Sequence, residues 1–269
     1  MKKVDIFIVG EQKCGTTALH KFLTQHPQIK SGKQKEIDFF SYDGLYNKGL
    51  DYYHSLFKCS LYEKYVKKIK LIDASPSYLS TGEKTASRIY NYNKDAYIII
   101  MLRNPIERAF SAYMMYKNRF KDGKEDWWFD WMKARGKDVC SVKKRSKESY
   151  KNFDFFIDEE LKVLENSNEI ECPTLLNGFY YKKILTFLKE FDNVLIVDNK
   201  NLFNGTEITL NQIENFLNVK SHNWSQVSNE KVFVGNYDEV LKKETVDKLK
   251  VFYERDVLKI KNKFNIDLF

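Results

Sequence analysis

The chain has 269 residues, 43% hydrophobic and 30% charged, which is typical of a globular protein and enough for one large α/β domain or two small ones. Its 4 prolines and 11 glycines leave little room for disordered linkers, and no run approaches the roughly 18 apolar residues of a membrane span. The net charge of +8 favours anionic partners, although a basic surface without a partner explains it equally well.

The cysteines and the first residues give little sign of a metal site or a signal peptide. No Cys-x-x-Cys pair or Cys/His cluster occurs, so we expect reduced thiols in a cytoplasmic protein, with two disulfides as the alternative. The apolar run that follows Lys2 and Lys3 is too short for a signal peptide. The four cysteines are Cys14, Cys59, Cys140 and Cys172.

The first elements along the chain are a buried strand, a glycine-rich loop and a helix. Residues 4–10, "VDIFIVG", predict the strand, and the apolar spacing of residues 16–27 predicts the helix. The loop "GEQKCGTT" matches a phosphate-binding loop, except that Thr16 occupies the usual lysine position and Lys13 lies two residues before Gly15. Its backbone N–H groups would form an anion cradle, unless the loop is only a tight turn.

The later elements alternate between strands and helices, which predicts a P-loop-like parallel β-sheet flanked by helices. Strands are predicted within residues 68–75, 96–105 and 193–202, and helices within residues 106–120, 210–219 and 242–264. Residues 117–171 interrupt this alternation and predict a helical insertion in a single domain, 1–269. The insertion contains Trp127, Trp128 and Trp131, which would pack a helix into the core or provide sugar-stacking platforms.

Several polar residues follow predicted strands, where open α/β sheets bind ligands. Arg103 ends the most apolar strand, and Ser111 lies eight residues later, about two helical turns on. The two could hold one phosphate together, although an arginine at such a place is also suited to a salt bridge. Asp73 or Ser75 would line the same cleft.

Glu36 is a candidate general base. It lies beside Lys33 and Lys35 and is followed by Phe39 and Phe40, so its carboxylate would sit in a partly dry site. A surface Glu–Lys pair is the alternative interpretation.

In this order, the segments resemble the sulfotransferases that use 3′-phosphoadenosine-5′-phosphosulfate (PAPS), and most closely the heparan sulfate N- and 3-O-sulfotransferase group. The matching motifs are "GEQKCGTTAL", "KEIDFF", "DASPSY", "LRNPIERAFSAY" and "GFYYKKILTFLKEFDNVLIVD", within residues 6–113 and 175–219. The sequence departs from the 3-O group at Asp38, where a histidine is common, and at Ala74, where a lysine is common. The family's basic closing segment has its counterpart in residues 229–240, where Lys231 would supply the charge.

The resemblance implies a role for each of these positions. Lys13 would stabilise charge on the leaving phosphate, Glu36 would deprotonate the acceptor, Arg103 and Ser111 would bind the 3′-phosphate, and Tyr180 would lie near the adenine. The implied donor-binding residues are Gln12, Lys13, Cys14, Gly15, Thr16, Thr17, Arg103, Ser111, Tyr180, Gly235 and Asn236. Because a sulfuryl group carries less charge than a γ-phosphoryl group, no metal is expected.

The expected function is therefore sulfuryl transfer from PAPS to a hydroxyl of a glycan or glycolipid-like acceptor, with an amine as the alternative acceptor group. A Mg-dependent P-loop-like nucleotide phosphotransferase and a non-catalytic module that binds polyanions are the alternatives. We expect a small-molecule or glycan partner, no nucleic acid and no stable membrane insertion, whereas the sequence does not predict the oligomeric state.

Overall fold

The computed structural model describes residues 2–225, 227 and 237–269, and these contain a five-stranded sheet in which every paired strand is parallel. The strand order is β2-β3-β1-β4-β5. This arrangement confirms the predicted parallel α/β fold. The strands are β1 Ile6–Gly10, β2 Ile29–Ser31, β3 Lys70–Ala74, β4 Tyr97–Leu102 and β5 Val194–Asp198.

The α-helices follow the strands in the predicted alternation, with additional short helices that the sequence did not predict. They are α1 Thr16–Leu23, α2 Asp43–Tyr46, α3 Gly49–Ser55, α4 Leu61–Tyr65, α5 Ser77–Ser80, α6 Gly82–Tyr92, α7 Pro105–Lys121, α8 Trp127–Lys133, α9 Phe153–Glu165, α10 Tyr181–Glu190, α11 Asn199–Asn204, α12 Thr206–Leu217 and α13 Lys243–Phe264.

The middle strands form where the sequence is apolar without interruption. Every residue of β1 is buried, and so is every residue of β4 except Tyr97. Ile6 pairs with Ile72 of β3 on one side and with Tyr97 of β4 on the other, so β1 is hydrogen-bonded along both edges. A parallel strand that is covered on both faces requires such a continuous apolar run.

The chain divides into two compact units. The first comprises described residues within Met1–Ser41, Leu45–Arg103 and Lys182–Val234 and contains the whole sheet. The second lies within Tyr42–Gly44, Asn104–Tyr181 and Gly235–Phe269. The single domain over 1–269 stays a prediction. The predicted insertion, 117–171, falls in the second unit, although its first residues belong to α7, which ends at Lys121.

A buried ion pair organises much of the second unit. Arg145 Nη2 lies 2.7 Å from Glu160 Oε2, and both side chains are fully buried. The other oxygen of Glu160 accepts hydrogen bonds from the backbone N–H groups of Thr174 and Leu175, each at 2.7 Å. Buried charges are tolerated only when they are paired in this way. Through Glu160 of α9, the pair links Arg145, before the helix, to Thr174 and Leu175, after it.

The tryptophans of α8 differ in their surroundings. Trp128 is buried, in agreement with the core-packing interpretation. The guanidinium carbons of Arg119 and Arg135 lie 3.4 Å and 3.7 Å from the ring centroids of Trp127 and Trp131. An arginine therefore stacks on one face of each of these two rings, which gives both a role within the second unit.

The cysteines are reduced, as the sequence-based interpretation expected. All four cysteines are free, so the alternative of two disulfides is wrong. In residues 2–225, 227 and 237–269, no three His, Cys, Asp or Glu side chains are grouped so that they could hold a metal ion. None of the helices described for this chain is both long and apolar enough to span a membrane.

Substitution of Gly10, the last residue of β1, tests how closely the start of the loop is packed. Its φ is +146°, and a Cβ there would lie 2.5 Å from Leu79 Cβ and 2.9 Å from the Pro76 carbonyl oxygen. We expect Gly10→Ala to lower the free energy of unfolding by about 3 kcal/mol or more, measured by urea denaturation.

Gly82→Ala is the matched control for Gly10→Ala. Gly82 also has a positive φ, +51°, but nothing lies within 4 Å of its added Cβ. This variant should lose only about 1 kcal/mol, the cost of the left-handed backbone. Equal losses in the two variants would contradict the close packing inferred at Gly10.

Candidate active site

The loops that follow β1, β2 and β4 lie at the carboxyl edge of the sheet in the first unit. The N–H of Glu11, after β1, donates to the carbonyl of Met101 in β4 at 3.0 Å, and the N–H of Glu36 donates to Ala74 at the end of β3 at 3.1 Å. Along the chain, β1 leads to β2 and β3 on one side, whereas β4 leads to β5 on the other. The loops after β1 and β4 therefore lie at the point where the connections diverge, which is where open α/β sheets bind ligands.

The glycine-rich loop has the backbone shape of an anion cradle. Lys13 and Gly15 both have left-handed conformations, with φ of +68° and +91°, and the N–H of Cys14 donates to the carbonyl of Glu11 at 3.1 Å. α1 then begins at Thr16 without a side-chain cap and without an acidic residue in its first turn. The N-terminal N–H groups of α1 and its dipole are therefore suited to a negatively charged group.

Asn199, the first residue of α11, holds the loop from the β5 side. Its Nδ2 donates to the carbonyl of Cys14 at 3.0 Å. A Cβ on Gly15 would lie 2.5 Å from the same nitrogen, so the close approach of this amide requires glycine at position 15. The sequence analysis did not identify Asn199, because the predicted range of the strand, 193–202, included it, whereas β5 ends at Asp198.

Glu11 stabilises the loop through a buried carboxylate, and the sequence analysis did not identify it either. Its carboxylate is fully buried and accepts hydrogen bonds from Ser80 Oγ at 2.7 Å, Lys183 Nζ at 3.1 Å and the N–H of Gln12 at 2.9 Å. Since these partners come from α5, α10 and the loop itself, the carboxylate joins three segments. No local sequence pattern marks this role, because the partners are distant along the chain.

Arg103 lies against the loop, as the order of the motifs predicted. It follows β4 directly, is half-buried, and its Nη1 donates to the carbonyl of Lys13 at 3.4 Å. The structure thus brings together the glycine-rich loop and the arginine that the sequence assigned to one ligand.

Glu36 is more exposed than the sequence predicted. Its side chain is 49% exposed and its Oε1 lies 2.7 Å from Lys35 Nζ, so the partly dry site expected for it is not observed. The reason is that Phe39 and Phe40 turn away into an aromatic cluster, where Phe39 stacks on Tyr53 with centroids 4.6 Å apart. The Glu–Lys pair, left open as the alternative, is present, and at this exposure it adds little stability.

A buried carboxyl near this loop belongs to Asp73, close to the end of β3. It accepts hydrogen bonds from Tyr53 Oη at 2.8 Å, Tyr78 Oη at 2.6 Å and Ser75 Oγ at 2.9 Å. Burial raises the pKa of Asp73 to about 6, and the hydrogen bonds from the three hydroxyls oppose that increase.

Asp73 and Ser75 hold the Glu36 loop in place. Ser75 Oγ donates to Asp73 and accepts the N–H of Asp38 at 3.1 Å, while Ser77 Oγ donates to the Asp38 carboxylate at 2.6 Å. Glu36 and Asp38 both have positive φ, +62° and +56°, which is costly for residues other than glycine. The network stabilises this backbone, so Asp73 and Ser75 support the cleft loop as buried residues rather than line it.

Five other predicted site residues lie outside these loops in the sequence, and the structure describes two of them. Ser111 and Tyr180 belong to the second unit, where Ser111 Oγ accepts the hydroxyl of Tyr237 at 2.8 Å and the N–H of Tyr180 donates to Asp256 at 2.8 Å. Tyr180 is fully buried. Lys231, Gly235 and Asn236 lie outside the described residues. The roles of all five stay predictions.

The family is established by a match to the sulfotransferase domain over residues 3–267. The chain therefore belongs to the sulfotransferase family, a family of enzymes. It is 32% identical over 153 residues to the membrane-associated sulfotransferase kil1 of Dictyostelium discoideum, covering 55% of this chain and 31% of that protein. It is 29% identical over 216 residues to human heparan sulfate glucosamine 3-O-sulfotransferase 5, covering 79% of this chain and 52% of that one.

These relatives confirm the resemblance to the heparan sulfate group, and the chain spans about half or less of the length of each. Among solved structures, a sulfotransferase from Alicyclobacillus acidocaldarius superposes with a TM-score of 0.71 at 24% identity, covering 100% of this chain and 98% of that one. Mouse sulfotransferase SULT7A1, complexed with PAP, gives a TM-score of 0.52 at 12% identity over 96% and 86% of the two chains. Both structures support the fold.

The pKa of Asp73 predicts how stability depends on pH. Burial raises this pKa from 3.8 to about 6, so between these values the folded chain keeps a proton that the unfolded chain has lost. The contribution of Asp73 to stability should therefore fall as the pH rises from about 4 to about 6 and stay low above that.

Asp73→Asn, which does not ionise, is the comparison that isolates this effect. The free energy of unfolding of the wild type minus that of Asp73→Asn should fall by about 2–3 kcal/mol over this pH range, measured by urea denaturation at several pH values. A difference that increases with pH would contradict the raised pKa.

Proposed function

We propose that the protein transfers a sulfuryl group from PAPS to a hydroxyl of a glycan or glycolipid-like acceptor, with an amine as the alternative acceptor group. The observation that carries this proposal is the loop of Lys13 lying against Arg103 at the carboxyl edge of the sheet, in a chain of the sulfotransferase family. The PAP bound to SULT7A1 supports the donor, and the relative named for its action on heparan sulfate glucosamine supports a glycan acceptor.

The residues of the loop fit the phosphosulfate end of such a donor. The left-handed turn at Lys13 and Gly15, followed by an uncapped helix N-terminus without acidic residues, offers N–H groups and a positive dipole. PAPS, when bound, supplies an electrophilic sulfur and a phosphate leaving group. Gln12, Cys14, Thr16 and Thr17 would complete the cradle.

Lys13 would stabilise the negative charge that develops on the leaving phosphate. In-line sulfuryl transfer places most of that charge on the departing oxygen, and a lysine within the cradle is positioned to approach it. This role needs no metal ion, because the transferred group carries less charge than a γ-phosphoryl group.

Glu36 would accept the proton of the acceptor hydroxyl or amine. Its half-exposed carboxylate leaves room for an acceptor, and the network of Asp73 and Ser75 fixes the backbone that carries it. A base must be held within hydrogen-bond reach of the proton that it removes, so this support matters for catalysis. The resemblance alone assigns Ser111 to the 3′-phosphate and Tyr180 to the adenine.

Substitution of the two proposed catalytic residues should separate chemistry from binding. We expect Lys13→Ala and Glu36→Gln each to lower kcat by about 100-fold or more, with labelled PAPS and a panel of glycan acceptors. Glu36→Gln should bind 3′-phosphoadenosine-5′-phosphate (PAP) as the wild type does, because a base contacts the acceptor and not the nucleotide.

Two exposed positions in the same unit provide the controls for this experiment. Glu83→Gln removes a negative charge, as Glu36→Gln does, and Lys94→Ala removes a positive charge, as Lys13→Ala does. Both residues are exposed, and both control variants should leave kcat unchanged. If Glu36→Gln keeps near-full activity while Lys13→Ala loses it, Glu36 is not the base and the donor assignment stands.

The role that the resemblance gives to Arg103 predicts which nucleotide the cleft prefers. In calorimetric titrations without magnesium, PAP should bind at least about tenfold more tightly than ADP, because a bidentate arginine favours the 3′-phosphate. Arg103→Ala should remove most of this preference, and Arg103→Lys, which keeps the charge but loses the fork, should retain part of it.

The same titrations distinguish the alternative functions. Preference for ATP with magnesium would favour a phosphotransferase. Binding that ignores the 3′-phosphate and collapses with salt would favour a module for polyanions. We also propose a cytoplasmic location for the protein.

A further inference from the structure

α4 and the residue that follows it, Val66, expose apolar side chains that the fold of the first unit does not use. The exposed fractions are 75% for Leu61, 59% for Tyr62, 65% for Tyr65 and 64% for Val66. At about 100° per residue, these four side chains span roughly 140° of the helix surface, so they form one face. We call these four residues the α4 face.

The opposite side of α4 contacts the rest of the first unit. Glu63 Oε1 lies 2.6 Å from Lys30 Nζ on β2, and the carbonyl of Glu63 accepts the N–H of Ile69 at 3.0 Å. Glu63 and Ser60 also form a reciprocal capping box, with hydrogen bonds of 2.8 Å and 3.2 Å. These contacts fix the helix with the α4 face toward solvent.

Lysine side chains surround the α4 face. Lys64 Nζ lies 4.8 Å from the ring centroid of Tyr65, and Lys67 Nζ lies 5.7 Å from that of Tyr62, so these ammonium groups lie beside the aromatic rings. Lys58 and Lys68 are exposed as well. Glu63 is the one acidic residue in the sequence from 58 to 68, and it points to the other side.

A cavity lies next to this face. Its volume is about 460 Å³, and its lining includes Lys58 and Ser60, the second of which directly precedes the α4 face in the chain. The combined surface is an apolar centre with a cationic rim.

We propose that the α4 face docks the protein on an anionic phospholipid surface. Leu61 and Val66 enter the boundary between headgroups and acyl chains, Tyr62 and Tyr65 lie at headgroup level, and the surrounding ammonium groups contact lipid phosphates. A sulfated glycan would satisfy the lysines but offers nothing to the two aliphatic side chains, so the lipid surface fits the whole face. The docking is peripheral.

Vesicle sedimentation tests this proposal directly. The wild type should co-sediment with phosphatidylcholine vesicles that contain about one third phosphatidylserine, and much less with pure phosphatidylcholine. Leu61→Ser combined with Val66→Ser should lower the partition coefficient about tenfold, and Lys67→Gln combined with Lys68→Gln should lower it by a similar factor that shrinks at high salt.

Matched variants and two other readouts complete the test. Ile208→Ser changes an equally exposed aliphatic residue of α12, and Lys124→Gln with Lys133→Gln removes two exposed charges elsewhere, so neither should change partitioning. PAP affinity and circular dichroism should be unchanged in every variant, which shows that the fold is intact.

Three results would overturn the proposal. One is a wild type that ignores anionic vesicles. Another is partitioning of the Leu61/Val66 double variant at the wild-type level. The third is evidence that the face binds another partner. Such evidence would be a lysine double variant that loses heparin binding but keeps vesicle binding, or a dimer, detected by light scattering, that the Leu61/Val66 variant abolishes.

Discussion

The candidate site depends on one buried carboxylate, that of Glu11. A fully buried carboxylate is tolerated only when hydrogen bonds and a counter-charge replace water, and here Ser80, Lys183 and the N–H of Gln12 provide them. These partners tie the loop after β1 to α5 and α10, so the loop has a defined shape before any ligand arrives. A preformed cradle avoids the entropic cost of ordering a loop on binding.

A buried acid also supports the loop of Glu36, although in this case hydroxyl groups donate the hydrogen bonds. Asp73 lies behind it, and its hydroxyl partners fix a backbone that contains two left-handed residues other than glycine. In both loops the residue that would meet substrate is partly exposed, and the residue that holds it in place is a buried acid. This division explains how exposed side chains can have a defined position.

Much of the fold and part of the site were predictable from the sequence, for local reasons. The apolar runs of β1 and β4 are long enough to identify buried strands, and the order of the motifs placed Lys13 and Arg103 together. β2 was missed because a three-residue edge strand has no distinctive pattern. Glu11 and Asn199 were not identified, and Glu36 was expected to be more buried than it is. Contacts between residues far apart in the chain decide these environments, so a local sequence pattern does not reveal them.

The amide of Asn199 has a further consequence for the loop. Because it holds the carbonyl oxygen of Cys14, the peptide unit between Cys14 and Gly15 is fixed with its oxygen toward the α11 side and its N–H in the opposite direction. A carboxylate at position 199 would repel that oxygen and favour the flipped peptide, which presents an acceptor where a donor was. The direction in which the Gly15 N–H points therefore depends on one neutral side chain.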